Sequence, residues 1–162
     1  MLQEATVQVK EVPVTIVAYL RQKGPYTDIG SAIQKLLAWV LSNGWHLAGA
    51  PNAAYFNSPA EAPPEELHWE VRWPVGLSIS PREPNEEGLG VRRVESRQVT
   101  AVIHRGPYNQ VGSTYKVLME SISGQGYEIC GPAEEVYLND PASTAPEELL
   151  TEVRLPVKGG PC

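Results

Sequence analysis

Two glutamates are the residues of this sequence best suited to chemistry. Glu70 begins the segment Glu-Val-Arg-Trp-Pro-Val, and Glu152 begins the closely similar Glu-Val-Arg-Leu-Pro-Val. A carboxylate buried in an apolar pocket loses hydration free energy that a bound cation can offset, so such a group selects for positive charge. Burial also raises the pKa of a carboxyl group, which would let either glutamate act as a general acid near neutral pH.

The alternative is that both glutamates lie on a solvated strand face. A strand points successive side chains to opposite faces, so Glu152 shares its face with Arg154 but not with Val153. Glu70 and Arg72 stand in the same relation. An exposed pair of this kind contributes little to stability. The residues alone leave both interpretations open.

Aromatic side chains form the second group of candidate ligand-binding residues, because aromatic faces suit flat or cationic ligands. For each of them the alternative is that it fills a small core. His104 is added as a residue that could edge a pocket, with a surface position as its alternative. The aromatic candidates are Tyr26, Tyr55, Trp69, Trp73, Tyr108 and Tyr137.

Patterns for other kinds of catalysis are missing from the sequence. The histidines His46, His68 and His104 are scattered without the spacing of metal ligands, so we predict no metal site. There is no Gly-x-Ser-x-Gly elbow, and Gly88-Leu89-Gly90 lacks the rest of a dinucleotide fingerprint. We therefore expect no cofactor.

Composition limits the class of partner. The 162 residues carry a formal net charge of −6. A protein that binds nucleic acid needs a cationic surface to displace counterions from phosphates, so we expect no direct nucleic-acid partner. No apolar run has the length of a signal peptide or a membrane span. These features predict a cytoplasmic protein that is independent of membranes and forms a single domain over residues 1–162.

An internal duplication organises the chain. Residues 9–75 align with residues 91–157 at an offset of 82 without a gap, and 24 of the 67 pairs are identical. Gly24-Pro25-Tyr26 falls on Gly106-Pro107-Tyr108, and Glu70 falls on Glu152. We place the first repeat at about residues 7–76, a surface linker at 77–90 and the second repeat at about 91–158.

Each repeat reads as a β-α-β-β unit, which makes the fold class α+β. Segments rich in Val and Ile predict strands over 12–20 and 94–103, and apolar residues at helical spacing follow each Gly-Pro-Tyr turn. Two further strands are predicted around 45–57 and 67–75, and around 128–139 and 149–157. Pairing the repeats across a pseudo-twofold axis would leave a cleft on that axis, a natural place for a ligand.

The two repeats differ at two aromatic positions. Trp69 and Trp73 share a strand face, and Thr151 and Leu155 replace them in the second repeat. We expect this difference to give an otherwise symmetric cleft one bulky side.

These motifs together resemble the GyrI-like family, whose domains also serve as effector-binding domains of bacterial transcription activators. The resemblance covers nearly the whole chain and rests on Gly106-Pro107-Tyr108, on residues 135–141 and on residues 147–157. It implies a strongly curved, barrel-like antiparallel sheet with two main helices. It also implies a central pocket for lipophilic, often aromatic or cationic molecules, reached by a glutamate that matches Glu152.

Three functions stay open at this point. The first is a free-standing protein that binds lipophilic small molecules. The second is a hydrolase of strained or electrophilic toxins of the cyclopropane type, as some family members are, with Glu152 as acid or base and Tyr108 or Tyr137 orienting the leaving atom. The third is a protein-interaction module, as in gyrase inhibition or partnership with a regulator.

Overall fold

A computed structural model describes residues 6–26, 29–57 and 61–158 of the protein. Within these ranges every strand pairing is antiparallel and two α-helices are present, which confirms the α+β class. The elements are β1 (Gln8–Val12), β2 (Thr15–Lys23), α1 (Ile29–Ser42), β3 (Asn52–Tyr55), β4 (His68–Pro74), β5 (Leu89–Val94), β6 (Arg97–Arg105), α2 (Gly112–Gly124), β7 (Glu128–Ile129), β8 (Ala133–Tyr137) and β9 (Leu150–Lys158).

The chain forms two compact units, which we name after their glutamates. The Glu70 unit comprises Pro13–Ser96. Its strands run in the order β5-β2-β4-β3, and α1 packs on one face of β2 and β4. The apolar stripe of α1 buries Ala32, Leu36 and Val40, which lie four residues apart and so share one side of the helix.

The Glu152 unit comprises Met1–Val12 and Arg97–Cys162. Its strands run in the order β1-β6-β9-β8, with the short β7 paired to the far end of β9. Helix α2 packs on β6 and β9. The core of this unit contains Val102, Leu118, Ile122, Val153, Leu155 and Val157.

Each unit takes its edge strand from the other sequence repeat. Strand β1 belongs to the first repeat but pairs with β6, with Val12 opposite Arg97. Strand β5 pairs with β2 in the equivalent register, with Val94 opposite Thr15. The links between β1 and β2 and between β5 and β6, residues 13–14 and 95–96, lack the Asn-Gly or Gly-rich pairs that favour a tight hairpin. The chain therefore continues from the edge strand of one unit into the sheet of the other.

Five predicted segments are corrected by the structure. The strands predicted over 12–20 and 94–103 run instead over Thr15–Lys23 and Arg97–Arg105, because residues 12 and 94 end the preceding strands β1 and β5. The linker predicted for residues 77–90 ends earlier, because Leu89 and Gly90 are buried in β5. The strands predicted around 45–57 and 128–139 are shorter, and the second is divided into β7 and β8. Pro51 and Pro132 interrupt these regions, and proline cannot donate a hydrogen bond to a strand ladder.

Neither helix of the described residues combines the length and hydropathy that crossing a membrane requires. The predicted cleft concerns how the repeats are arranged, and it stays a prediction, as does the single domain.

Candidate functional site

The sheet of each unit has one face covered by a helix and an opposite face, which we call the charged face. Residues that pair directly across strands share a face. Arg21 lies opposite Glu70 on the neighbouring strand, and Glu134 lies opposite Arg154. The charged face of the Glu70 unit contains Tyr19, Arg21, Glu70, Arg72 and Arg92, and that of the Glu152 unit contains Lys10, Arg97, Glu134, Glu152 and Arg154.

Glu152 is held by two cations. The Lys10 ammonium, on the exchanged strand β1, lies 2.8 Å from Oε1 and 2.9 Å from Oε2 of Glu152. Arg154 donates its Nε–H to Oε1 at 2.5 Å. The alternative of a solvated strand face is therefore wrong for Glu152, whose side chain is only 12% exposed.

The charges of the Glu152 unit alternate across the sheet. Arg97 donates to both carboxylate oxygens of Glu134, through Nε at 2.8 Å and Nη2 at 2.5 Å. Arg154 also approaches Glu134, with 4.0 Å between Nη1 and Oε1. The order is Lys10, Glu152, Arg154, Glu134 and Arg97, so each carboxylate lies between two cations.

These contacts determine the ionisation of Glu152. Burial raises the pKa of its carboxyl group, but the hydrogen bonds and positive charges of Lys10 and Arg154 lower it by more. The pKa of Glu152 therefore lies below its ordinary value of 4.5. The raised pKa expected from the sequence is wrong for this residue, which is a carboxylate at neutral pH and a poor general acid.

Glu70 occupies the equivalent position but has different neighbours. It is fully buried, and Arg72 donates its Nε–H to Oε2 at 2.5 Å. Arg92 places Nη2 3.2 Å from Oε2, and Arg21 places Nη2 3.5 Å from Oε1. Arg92 is the repeat mate of Lys10 and likewise comes from an exchanged strand. Glu70 is thus also buried and ion-paired, not solvated.

The aromatic candidates lie on the helix-covered faces, away from the glutamates. Trp69 precedes Glu70 on β4 and therefore points to the opposite face, where it pairs with Tyr55. The Tyr26 ring lies 4.8 Å from the Tyr55 ring and 6.5 Å from the Trp69 ring. Trp69 is 1% exposed and donates its indole N–H to the Gly24 carbonyl at 2.9 Å. In the Glu70 unit Trp69 is therefore a core residue, and the half-buried Tyr26 and Tyr55 rings pack beside it.

The second repeat shows the same separation. Tyr137 pairs with Thr151, the residue before Glu152, and its ring lies 5.5 Å from that of Tyr108. The structure brings Tyr108 and Tyr137 together but places them on the face of the sheet opposite Glu152. Trp73, on the same face as Trp69, donates its indole N–H to the Gly49 carbonyl at 2.9 Å.

His104 is a structural connection between β6 and α2. Its Nδ1 lies 2.7 Å from Thr114 Oγ1 and its Nε2 lies 3.0 Å from the Pro107 carbonyl oxygen. A carbonyl oxygen only accepts, so the contact with Pro107 places a proton on Nε2, whereas the Thr114 hydroxyl can either donate to Nδ1 or accept from it. His104 is 7% exposed, and the alternative of a surface position is wrong.

The structure adds residues that the sequence analysis missed. Lys10 contacts Glu152, and Arg92 contacts Glu70. Glu134 contacts Arg154 and is itself held by Arg97. These contacts form only because distant strands meet, and no local motif marks the four residues. On the helix-covered face of the Glu152 unit, Tyr115 donates its hydroxyl to Glu135 Oε2 at 2.7 Å. Burial raises the pKa of the nearby Tyr108, with further contributions from Asp140 and Glu135.

Several solved structures share this fold. The crystal structure of the EcmrR C-terminal domain is 22% identical, with a TM-score of 0.83, over 96% of this chain and 99% of that one. Against EcmrR in its complex with DNA, the chain spans only 57% of that protein's length, with 95% of its own length covered, 21% identity and a TM-score of 0.82.

Two further structures are more distant. A hydrolase from Listeria innocua is 17% identical with a TM-score of 0.71, over 94% of this chain and 91% of that one. SAV2435, solved bound to tetraphenylphosphonium, is 15% identical with a TM-score of 0.59, over 97% of this chain and 95% of that one. At such identities the similarity concerns the fold alone.

No curated protein sequence matches the chain significantly. The family model for the GyrI-like small molecule binding domain matches residues 5–158. This match spans both repeats and both charged faces. The chain therefore belongs to the GyrI-like family of small-molecule-binding domains.

Proposed function

We propose that this protein binds lipophilic small molecules that carry a positive charge, and that Glu152 is the carboxylate they contact. Glu152 is ionised, so it offers a full negative charge at neutral pH. Ile103 and Val136 are its direct neighbours on the two adjacent strands, and Ile103 is 49% exposed. An ionised carboxylate beside an exposed apolar side chain matches a ligand that combines charge with apolar surface.

The contact between Lys10 and Glu152 carries the proposal. Arg154 is held by Glu134 as well as by Glu152, whereas Lys10 lies on the edge strand β1 with its side chain 36% exposed. We infer that Lys10 occupies the position of a ligand cation in the empty protein. Its ammonium group can return to water, because the Lys10 side chain is 36% exposed.

Tetraphenylphosphonium is a suitable probe, since it is a lipophilic cation and is the molecule bound to SAV2435. Titration calorimetry should show saturable binding to the unsubstituted protein. Glu152→Gln should weaken the affinity by about tenfold or more, because it removes the charge that faces the cation. Lys10→Met should tighten the affinity by about threefold, because it removes the internal competitor.

Glu95→Gln is a charge-matched control. Glu95 pairs with Arg93 on the exposed surface, at 72% exposure, and its substitution should leave the affinity within about twofold. Circular dichroism establishes that each variant is folded. Equal affinities of the unsubstituted protein and Glu152→Gln would remove the role assigned to Glu152. No binding to either the unsubstituted protein or Lys10→Met would contradict the proposed ligand class.

The geometry favours binding over hydrolysis. A hydrolase with Glu152 as its general acid needs a raised pKa at that residue, and the pKa is lowered. In the role of a base, the carboxylate would have to act while Lys10 and Arg154 occupy its two oxygens. The hydrolase also needs Tyr108 or Tyr137 beside Glu152, and the sheet of the Glu152 unit separates them. None of these observations opposes the binding of a preformed cation.

A further inference from the structure

The charged face of the Glu70 unit holds more positive charge than its carboxylate neutralises. Among the described residues, Arg21, Arg72 and Arg92 form ion pairs with the one carboxylate of Glu70, so three positive charges and one negative leave a net +2 within this ion-paired group. Glu83 is a further negative charge near Tyr19, whose pKa is raised by burial and also by Glu70 and Glu83. Each guanidinium has five N–H donors, far more in total than two carboxylate oxygens can accept. The cluster of these three arginines around Glu70, here called the arginine cluster, has unused hydrogen-bonding capacity.

Within the described residues, one donor and one acceptor of the arginine cluster, Arg92 Nε and Glu70 Oε1, are buried without a hydrogen-bond partner. Arg92 Nε is inaccessible to solvent and makes no hydrogen bond within the described part of the chain. A ligand cannot reach this donor as the side chain stands, so an anion would have to be held by the N–H groups on the accessible part of Arg92, whose side chain is 34% exposed. Burial also lowers the pKa of Arg92, and the neighbouring charges of Arg72 and Arg21 lower it further against the opposing effect of Glu70. A bound anion would relieve this repulsion.

The exposed side of the arginine cluster is built around Tyr19. The Arg21 and Arg92 guanidinium carbons each lie 5.6 Å from the centre of the Tyr19 ring. The ring itself lies against Gly90, where a Cβ atom would come within 2.7 Å of the Tyr19 hydroxyl oxygen. The ring thus supports two arginines whose side chains are 51% and 34% exposed, whereas the Arg72 side chain is 3% exposed.

We propose that the arginine cluster binds a small oxyanion, a phosphate or carboxylate group, between Arg21 and Arg92. Oxyanions accept several charge-assisted hydrogen bonds, and guanidinium forks match the geometry of both groups. Arg72 holds Glu70 in place below, and Tyr19 fixes the outer arginines in position. The site lies within the Glu70 unit and does not depend on the role proposed for Glu152.

The Glu152 unit lacks this site. Ile103 and Ala101 stand at the positions of Arg21 and Tyr19, and Lys10 stands at that of Arg92. Its five charges, three positive and two negative, leave a net +1 in alternating order. The surplus of positive charge is therefore larger in the Glu70 unit, at +2 against +1.

The experiment is a titration of the full chain with inorganic phosphate and, separately, with benzoate, at constant ionic strength maintained with sodium chloride. Calorimetry gives the affinity, and a thermal melt gives the stabilisation. We expect saturable binding that Arg21→Gln and Arg92→Gln each weaken by about tenfold or more. Binding of phosphate alone, of benzoate alone or of both supports the site and identifies which oxyanion it prefers.

Arg93→Gln is the matched control. Arg93 lies next to Arg92 on β5, points to the opposite face and pairs with Glu95 at 57% exposure. Its substitution makes the same change in net charge and should leave the affinity unchanged. No saturable binding of either anion to the unsubstituted protein would overturn the proposal. Equal losses in Arg93→Gln and Arg92→Gln would do the same, because they would show a general charge effect.

Glu70→Gln gives an independent test. Glu70 competes with an added anion for the same guanidinium groups, so its removal should tighten phosphate or benzoate binding by about tenfold. Weaker binding to the folded variant would contradict the proposed competition. If this variant does not fold, the comparison of Arg21→Gln and Arg92→Gln with Arg93→Gln decides the question.

Discussion

Each charged face contains a glutamate and an arginine two residues apart, Glu70 with Arg72 in one unit and Glu152 with Arg154 in the other. The two faces differ in the residues that surround this pair. In the Glu152 unit, Glu134 and Arg97 extend the pair into an alternating row. In the Glu70 unit their repeat mates are Asn52 and Thr15, and Arg21 and Arg92 add positive charge instead. A duplicated backbone has thus acquired two electrostatic environments through a few positions on neighbouring strands.

The helix-covered faces differ in a complementary way. Trp69 fills the core of the Glu70 unit and pairs across the strands with Gln22. In the Glu152 unit the large side chain is on the other strand, where His104 pairs with Thr151. At this pair of positions the large side chain therefore comes from β4 in the Glu70 unit and from β6 in the Glu152 unit. Trp69 and Glu70 point to opposite faces of β4, so the difference between the two cores is independent of the difference between the two charged faces.

The largest expected effect on stability comes from placing core residues of the Glu152 unit at the equivalent positions of the Glu70 unit. Trp69→Thr should lower the free energy of unfolding by about 3–5 kcal/mol, because it removes a fully buried indole and its hydrogen bond. Trp73→Leu makes the corresponding change at the less buried tryptophan and should cost about 1–2 kcal/mol. Urea unfolding measures both, and equal costs would show that the two tryptophans contribute alike.

The glutamates should differ in their contribution to stability. Glu70→Gln leaves three arginines beside a neutral, fully buried amide and should cost about 3 kcal/mol. Glu152→Gln should cost about 1–2 kcal/mol, because Lys10 can move into water and Arg154 keeps Glu134. Chemical denaturation of both variants at neutral pH tests the difference. A larger loss for Glu152→Gln would reverse the comparison.

His104 has a smaller expected effect. His104→Gln should lower the free energy of unfolding by about 1–2 kcal/mol, because it disrupts the hydrogen bonds to Thr114 and to the Pro107 carbonyl. His46, which is exposed, supplies the control, and His46→Gln should change stability by less than about 0.5 kcal/mol. Thermal melts measure both variants, and equal melting temperatures would contradict the structural role of His104.

The smallest expected effect is a dependence on pH. The folded-state pKa of Glu152 is lowered, so the stability that its ionised form contributes is present above 4.5 and is lost as the pH falls through the lower folded value. The gap in unfolding free energy between the unsubstituted protein and Glu152→Gln should narrow by less than about 1 kcal/mol between pH 7 and pH 3. A gap that widens on acidification would mean that the carboxyl group is held in its neutral form.

The fold could be predicted from the sequence because both repeats carry the same strand and helix patterns. The alternation of side chains along β9 correctly predicts that Val153 faces the core and that Glu152 lies on the opposite face. The adjacency of Trp69 and Glu70 already indicated opposite faces, although the cleft hypothesis grouped them together. Local sequence patterns could not identify Lys10 and Arg92 as partners of the glutamates, because each cation lies on a strand contributed by the other repeat.

The exchange of edge strands has a consequence for how the protein can be divided. A fragment of residues 7–76 would contain β1 without its partner β6, and β2 without its partner β5. It would also lack Arg92 beside Glu70, while the complementary fragment would lack Lys10 beside Glu152. The ancestral sequence unit and the present folding unit are therefore different pieces of chain. Glu70 has its full set of partners only when Arg92, at the start of the second repeat, has been synthesised, and Glu152 depends on Lys10 from the first repeat.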